Sequence, residues 1–251
     1  MYQFFVEPAQ INVTDKSVII IGNDVNHIKN VLRMRPGEEI SVSNGQDGKE
    51  YRCGILTLEE DRIICGLRFV KEDNVELPSR VYLFQGIPKA DKMEWIVQKA
   101  VELGVCQVIP VAARRCVTKL DEKKAASRTA RWQGIAEAAA KQSRRGIIPE
   151  VTGVMSFNQA LEKAREADVR LIPYELARGM NRTREIVDGL VPGQSIAVFI
   201  GPEGGFEETE IELAVKAGVE PVTLGKRILR TETAGLTVLS WIMYRLEGCG
   251  E

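Results

Sequence analysis

From residue 80 onward, short apolar segments alternate with amphipathic helical patterns, and this alternation restricts the fold more than any other feature. The apolar segments predict strands at residues 81–85, 107–111, 169–172, 196–200 and 221–224. The helical patterns cover residues 92–103, 125–141, 157–167, 182–190, 207–217 and 234–246. Strands that are apolar on both faces need cover on both sides, and strands that alternate with helices pair in parallel. We therefore predict an α/β domain with a parallel sheet between layers of helices.

The first seventy residues have a different pattern of apolar and polar residues. Period-two patterns predict strands at residues 3–6, 17–21, 39–43, 50–57 and 62–70, with one helix at residues 27–34. Several short strands with one helix are typical of a small β-barrel. A polar, proline-containing stretch at residues 71–79 then indicates a linker. The predicted domains are residues 1–72 and 73–251.

Several classes of protein are poor fits to this sequence. The five cysteines include no C-x-x-C pair, and His27 is the single histidine, so neither a disulfide framework nor a structural zinc site is expected. The apolar runs are far shorter than the ~20 residues that cross a bilayer, and the N-terminal residues lack a signal-peptide pattern. We expect a cytoplasmic protein with no membrane partner and no metal.

Positive charge is concentrated in the middle of the chain. Residues 89–145 contain 13 Lys and Arg against 6 Asp and Glu, a net charge of +7, whereas the whole chain carries −1. Clustered Lys and Arg favour a polyanionic partner because such side chains make most phosphate contacts. A solvated basic helix face explains the same charge equally well.

The most informative local motif is GPEGG at residues 201–205, which follows the predicted buried strand 196–200 and precedes an acidic helix start. Ligands bind α/β proteins outside the carboxyl ends of the strands, and glycines let a backbone approach a ligand closely. The motif is neither a phosphate-binding Walker loop nor a dinucleotide fingerprint. The alternative is a plain connection between strand and helix.

A second polar loop, residues 224–234, follows the next strand and also leads into a helix. Loops from successive strands would face each other across a pocket. Residues 86–89 form a comparable loop after the first strand of the domain. Alternatively, Thr231 or Thr233 caps the helix, and the charged groups of the loop, among them Glu232, form an ordinary ion pair.

Together with the two loops, further motifs give the chain a full-length resemblance to the ribosomal RNA small-subunit methyltransferase E family of the SPOUT methyltransferases. The motifs are HIKNVLR (27–33), KMEWIVQK (92–99), ELGV (102–105), GPEGG (201–205) and ILRTETA (228–234). The individual residues that also match are Arg115, Lys119, Arg131, Trp132, Gln142, Ser143, Arg145, Leu224 and Gly225. The sequence departs from the family at Gln3, where Arg is frequent, and at Lys141, where Glu is frequent.

The resemblance implies a PUA-like RNA-binding barrel followed by a SPOUT domain with a trefoil knot. It implies a homodimer that uses S-adenosylmethionine (SAM) to methylate N3 of a uridine in 16S rRNA of the 30S subunit. The residues that match the family's three cofactor loops are Pro173, Tyr174, Glu175, Ile200, Gly201, Pro202, Glu203, Gly204, Leu224, Gly225, Ile228, Leu229 and Arg230.

The substrate chemistry suggests roles for charged residues. N3 of uracil must lose its proton before it attacks the methyl group. We therefore expect Arg115 and Arg230 to stabilise the anion or anchor a phosphate, and Glu203 and Glu232 to accept or orient the proton. A carboxylate that only holds loop backbone is the alternative for either Glu. The predicted RNA contacts are Arg33, Lys89, Arg115, Arg131, Arg144 and Arg145.

Two other functions remain compatible with the residues. A non-catalytic RNA-binding ribosome-assembly factor would use the glycine loops only structurally. An unrelated α/β nucleotide or phosphate enzyme fits less well, because the acidic helix start after GPEGG would repel a phosphate. Binding of SAM, or of ATP or NAD without SAM, separates these functions.

Overall fold

The computed structural model describes residues 1–72 and 75–247. Cys249 and the start of the predicted second domain at Asp73 lie outside the described residues. The chain divides into two units, one made of Met1–Glu76 and Ala140–Ile148, the other of Leu77–Ala139 and Pro149–Glu251. No helix in the described part of the chain is both long and apolar enough to cross a membrane.

The first unit contains a six-stranded sheet. Its strands are β1 (Gln3–Phe5), β2 (Ile11–Asn12), β3 (Ser17–Ile21), β4 (Glu39–Ser43), β5 (Glu50–Leu58) and β6 (Arg62–Lys71). The spatial order is β1-β4-β5-β6-β3-β2, and neighbours are antiparallel except for the parallel pair of β1 and β4. Two register shifts between β5 and β6 bend these long strands, as bulges do.

Alternation along β5 and β6 directs apolar side chains into the core of this unit. Cys53 and Cys65 are part of that core, and burial raises the pKa of each thiol to about 12. Both thiols are therefore protonated at neutral pH and are poor nucleophiles.

The helical segment of the first unit begins earlier than the predicted residues 27–34. Helix α1 (Asn23–Asn26) continues into a π-helical turn at His27–Val31. Ile28 is fully buried, whereas Val31 is exposed, so only part of the apolar spacing reflects the core. Arg33 follows with a φ of 54°, which ends the helical path.

Residues 140–148 belong to the first unit although 63 residues separate them from its other segment. Gly146 lies directly against Gly48, where an added Cβ would be 2.5 Å from the Gly48 carbonyl oxygen. Glycine is therefore required at position 146 for this contact. Gln3 Nε2 donates to the Arg145 carbonyl oxygen at 2.9 Å, and Lys141 forms an ion pair with Asp24.

The second unit is an α/β structure with a parallel sheet. Its strands are β7 (Arg80–Gly86), β8 (Gln107–Ala112), β9 (Glu150–Val151), β10 (Met155–Ser156), β11 (Val169–Pro173), β12 (Ser195–Ile200) and β13 (Glu220–Val222). The main order is β10-β8-β7-β12-β11-β13, β9 also pairs with β8, and every pair is parallel. This confirms the predicted fold class.

The helices that accompany this sheet are α2 (Lys92–Glu102), α3 (Glu122–Gln142), α4 (Phe157–Ala164), α5 (Met180–Asp188), α6 (Glu208–Lys216) and α7 (Thr231–Glu247). Aromatic side chains pack together in the core of this unit. Phe84 on β7 stacks on Phe199 of β12, with ring centroids 4.4 Å apart. Phe157, at the start of α4, contacts Phe199 and also Phe206 in the loop after β12. The core thereby anchors one end of the glycine-rich loop.

Candidate functional site

A cavity of about 260 Å³ lies at the carboxyl ends of three neighbouring strands of the second unit. The loops that line it follow β11, β12 and β13, and β11 pairs with both of the others. Twelve of the thirteen residues predicted to bind a cofactor line this cavity. The exception is Arg230, which is exposed and is not among the lining residues.

The loop after β12 folds tightly back on itself. A Cβ on Gly201 would lie 2.9 Å from the Gly205 backbone, and Gly205 has a φ of +65°. Gly204 has no left-handed backbone; its added Cβ would instead lie 3.4 Å from the Arg115 side chain. Close approach therefore requires glycine at position 201, and backbone conformation favours it at position 205.

A threonine on helix α5 holds the loop after β13. Thr183 on α5 is buried, and its hydroxyl donates to the Thr223 carbonyl oxygen at 3.1 Å and accepts from the Thr223 N–H at 3.2 Å. Thr223 lines the cavity. Sequence reasoning missed Thr183 because a lone threonine in a helix gives no signal of what it contacts.

Glu203 takes part in a charge cluster at one side of the cavity. Its carboxylate accepts a hydrogen bond from the Lys89 N–H at 3.1 Å and forms an ion pair with Lys92 Nζ at 3.1 Å. The same ammonium lies 3.5 Å from Glu232 Oε2. One lysine thus joins the loop after β12 to the start of α7.

These contacts set the protonation of Glu203. Burial acts to raise its pKa, but hydrogen bonds from backbone N–H groups and the contact with Lys92 outweigh burial and leave the pKa below its usual value. Glu203 is therefore ionised near neutrality. A carboxylate with a lowered pKa is a weak proton acceptor, so this geometry favours a loop-holding role over general-base catalysis.

The two arginines predicted to act in catalysis lie in different surroundings. Arg115 lines the cavity, and its Nη1 donates to the Gly204 carbonyl oxygen at 2.8 Å. Arg230 is exposed just before α7, where its carbonyl oxygen accepts the Ala234 N–H. Of these two arginines, Arg115 lines the cavity and Arg230 does not.

Five of the six predicted RNA contacts are exposed. In the first unit Arg33 and Arg144 have left-handed backbone, with φ of 54° and 61°. In the second unit Lys89, Arg115 and Arg131 are exposed, and Arg131 forms an ion pair with Glu94 at 2.8 Å. Non-glycine residues with positive φ are uncommon and often mark functional positions.

Arg145 differs from the other predicted RNA contacts because it is buried. Its guanidinium forms an ion pair with Glu76, and Nε donates to a Glu76 carboxylate oxygen at 3.0 Å. Side-chain exposure is 4% for Arg145 and 12% for Glu76. The predicted phosphate contact does not fit this placement, which assigns Arg145 to the interior of the first unit.

Comparison with known proteins agrees with both units. A family model described as RNA methyltransferase domain matches residues 75–243, and one described as RNA methyltransferase PUA domain matches residues 20–68. Ribosomal RNA small subunit methyltransferase E of Bacillus subtilis (strain 168) is 39% identical over 98% of both chains.

Solved structures extend this similarity to the whole fold. Ribosomal RNA small subunit methyltransferase E from Neisseria gonorrhoeae, bound to SAM, superposes with a TM-score of 0.82 at 36% identity over 97% of both chains. A methyltransferase from Legionella pneumophila, in complex with SAM, has a TM-score of 0.83 at 31% identity over 96% of both chains.

The fold, the glycine-rich cavity and the matching domains define an RNA methyltransferase of the SPOUT class with a PUA domain. Within that class, the chain belongs to the ribosomal RNA small subunit methyltransferase E family. The resemblance drawn from the sequence motifs is confirmed.

Proposed function

We propose that this protein transfers a methyl group from SAM to N3 of a specific uridine in 16S rRNA, acting in the cytoplasm on the small ribosomal subunit. The observation that carries the proposal is the cavity at the ends of β11, β12 and β13, lined by the residues that match the family's cofactor loops. Two similar proteins that were solved with SAM support it, one of them named a ribosomal RNA small subunit methyltransferase, as does the similarly named relative from Bacillus subtilis.

The residues of the cavity fit SAM. Glycines at 204 and 205 carry no side chain where the loop lines the cavity, and the loops supply both apolar and polar lining groups. Such a mixture suits a ligand with an aromatic base and a charged amino-acid end. When bound, SAM supplies an activated methyl group on a sulfonium.

The chain's own task is to prepare the nucleophile. N3 of uracil carries a proton, and its loss leaves an anion that needs a fixed positive partner. Arg115 lines the cavity and its guanidinium holds the Gly204 carbonyl oxygen, so we assign it to anion stabilisation. Arg230 remains a second candidate at the rim, and Glu203 is assigned to holding the loop through Lys92 and Lys89.

The direct test uses labelled SAM and 30S subunits that lack the modification. We expect one uridine of 16S rRNA to gain a methyl group at N3, mapped by mass spectrometry of nuclease digests. Binding of both SAM and RNA without transfer would support the ribosome-assembly alternative. Binding of ATP or NAD without SAM would instead indicate a different α/β enzyme.

Replacement of Gly201 tests the cavity assignment. In Gly201→Ala the new Cβ meets backbone of Gly205 at 2.9 Å, so the loop must shift. We expect SAM affinity in calorimetry to fall about tenfold to a hundredfold, from ~1–3 kcal/mol of overpacking strain. Gly153→Ala is the matched control, because its Cβ would meet nothing within 4 Å. Equal SAM affinity in both variants would contradict the assignment.

The functional unit that we propose is a homodimer. Helices α5 and α7 form an apolar groove of about 230 Å³ lined by Met180, Val187, Trp241 and Tyr244, among others. Tyr244 is 83% exposed. A partly exposed apolar groove of this kind, with an exposed aromatic side chain, is typical of an interface between subunits.

Sedimentation analysis tests the proposed dimer. We expect the wild-type protein to sediment as a dimer and Tyr244→Glu, which places a charge in the groove, to shift it toward the monomer. Arg184→Glu, another lining residue but polar from the start, should change the distribution less. A monomeric wild type would refute the dimer.

A further inference from the structure

A glutamine is completely buried in the core of the second unit. Gln85 lies near the end of β7 with no exposed surface, and its strand neighbours Leu83 and Phe84 are apolar core residues. A buried amide is costly unless both its donor and acceptor are paired. Gln85 Nε2 donates to the Gly86 carbonyl oxygen at 3.0 Å and to Thr231 Oγ1 at 2.9 Å. Its Oε1 has no hydrogen-bond partner among the described residues.

The hydrogen bond from Gln85 continues to the wall of the cavity. Thr231 is the first residue of α7, and its hydroxyl donates to the Gly201 carbonyl oxygen at 2.5 Å. Both Thr231 and Gly201 line the cavity, whereas Gln85 does not. Because Thr231 Oγ accepts from Gln85 and donates to Gly201, the donor and acceptor roles of the three groups are consistent.

The packing around this chain of hydrogen bonds is close. Gly235, in the first turns of α7, has no side chain, and an added Cβ would lie 3.6 Å from Ile200 Cγ1 and 3.8 Å from Gln85 Oε1. The helix therefore lies directly against β7 and β12. Gln85, Thr231 and Gly201 belong to three different parts of the unit: β7, α7 and the loop after β12.

We propose that Gln85 is a positioning residue for the cofactor loop, which it holds through Thr231 and the Gly201 carbonyl group. The inference rests on the proposed binding of SAM in this cavity. A loop that is held in its binding shape before the ligand arrives loses less conformational freedom on binding. An apolar side chain of similar size would fill the core without an unpaired oxygen, so we assign the amide a role in binding.

Gln85→Met separates binding from stability. Methionine has a similar length. It removes the donor to Thr231 and to the Gly86 carbonyl oxygen, and it also removes the unpaired oxygen, so the costs and gains for the fold oppose each other. We expect the urea unfolding midpoint to be unchanged or higher, whereas SAM binding in calorimetry weakens about tenfold, the scale of one lost hydrogen bond. In methyl transfer the KM for SAM should rise while kcat at saturation stays near that of the wild type.

A double-mutant cycle with Thr231→Val tests the connection itself. If both residues act through one chain of hydrogen bonds, the double variant should bind SAM about as weakly as either single variant. Thr152→Val is the control, since Thr152 is a buried threonine that donates to the Gly153 carbonyl oxygen and does not line the cavity. Its SAM affinity should equal that of the wild type.

The possible outcomes distinguish the two proposals. If wild-type protein binds SAM and Gln85→Met binds it equally well, the positioning role is overturned and the proposed function stands. Additive losses in the double variant would also overturn the connection through Thr231. If Gln85→Met does not fold, the amide is structural. The positioning role is then overturned, unless the single variant Thr231→Val folds and binds SAM more weakly. Absence of SAM binding by the wild type would overturn the proposed function and this inference with it.

Discussion

Arg115→Lys is expected to slow methyl transfer at saturating SAM and RNA by about 10²–10³-fold, the usual cost of losing one donor to a developing anion. The guanidinium binds the Gly204 carbonyl oxygen through Nη1, and its remaining N–H groups can face the cavity. A lysine keeps the positive charge but not the planar fork that makes several hydrogen bonds at once. Single-turnover kinetics with preformed complexes measures this step.

Arg114→Lys is the matched control for that experiment. Arg114 is the preceding residue, is exposed and forms an ion pair with Glu207, but it does not line the cavity. We expect its single-turnover rate to stay close to that of the wild type. If Arg115→Lys loses SAM affinity while its rate at saturation is preserved, Arg115 only shapes the cavity wall. If the single-turnover rate is slow in Arg230→Lys and normal in Arg115→Lys, the anion-stabilising role belongs to Arg230.

Arg145→Ala is expected to destabilise the protein by about 3–5 kcal/mol, because it removes the guanidinium that forms an ion pair with the largely buried Glu76 carboxylate. Equilibrium unfolding in urea should show an earlier transition. Glu76→Leu combined with Arg145→Met removes both charges and should recover most of this loss. The exposed pair of Lys49 and Glu72 is the control, and Lys49→Ala should leave the unfolding midpoint nearly unchanged.

The neighbouring residue should behave in the opposite way. Arg144 is exposed, so Arg144→Ala should leave stability unchanged but weaken RNA binding and reduce its salt slope by about 0.7–0.9 for each lost phosphate contact. A stable Arg145→Ala with reduced RNA affinity would instead restore Arg145 to the RNA surface. Unchanged RNA affinity in Arg144→Ala would place the RNA contacts elsewhere.

Local patterns in the sequence predicted most elements of both units. The strands at residues 17–21 and 39–43 have the predicted bounds, and each predicted helix of the α/β unit is present within a few residues. These elements are predictable because alternation and helical spacing are properties of neighbouring residues. The two-residue strands β2, β9 and β10 were missed, since so short a segment carries no period.

The sequence by itself also located the loops of the candidate cavity. Loops that follow parallel strands emerge at one edge of the sheet, so GPEGG and the residues after β13 were expected to meet there. The resemblance to the methyltransferase family added the loop after β11. The first two loops needed only the order of strands and loops along the chain, whereas the loop after β11 needed the family's motifs.

Only the tertiary structure decided which side chains are buried together. Arg145 and Glu76 are 69 residues apart in the chain, and Gln85 and Thr231 are 146 apart. Nothing local distinguishes the buried Arg145 from the exposed Arg144 beside it, because burial depends on which distant segment packs over a residue. The sequence therefore determined the elements and the loops, whereas long-range packing decided which polar groups support the site and which support the fold.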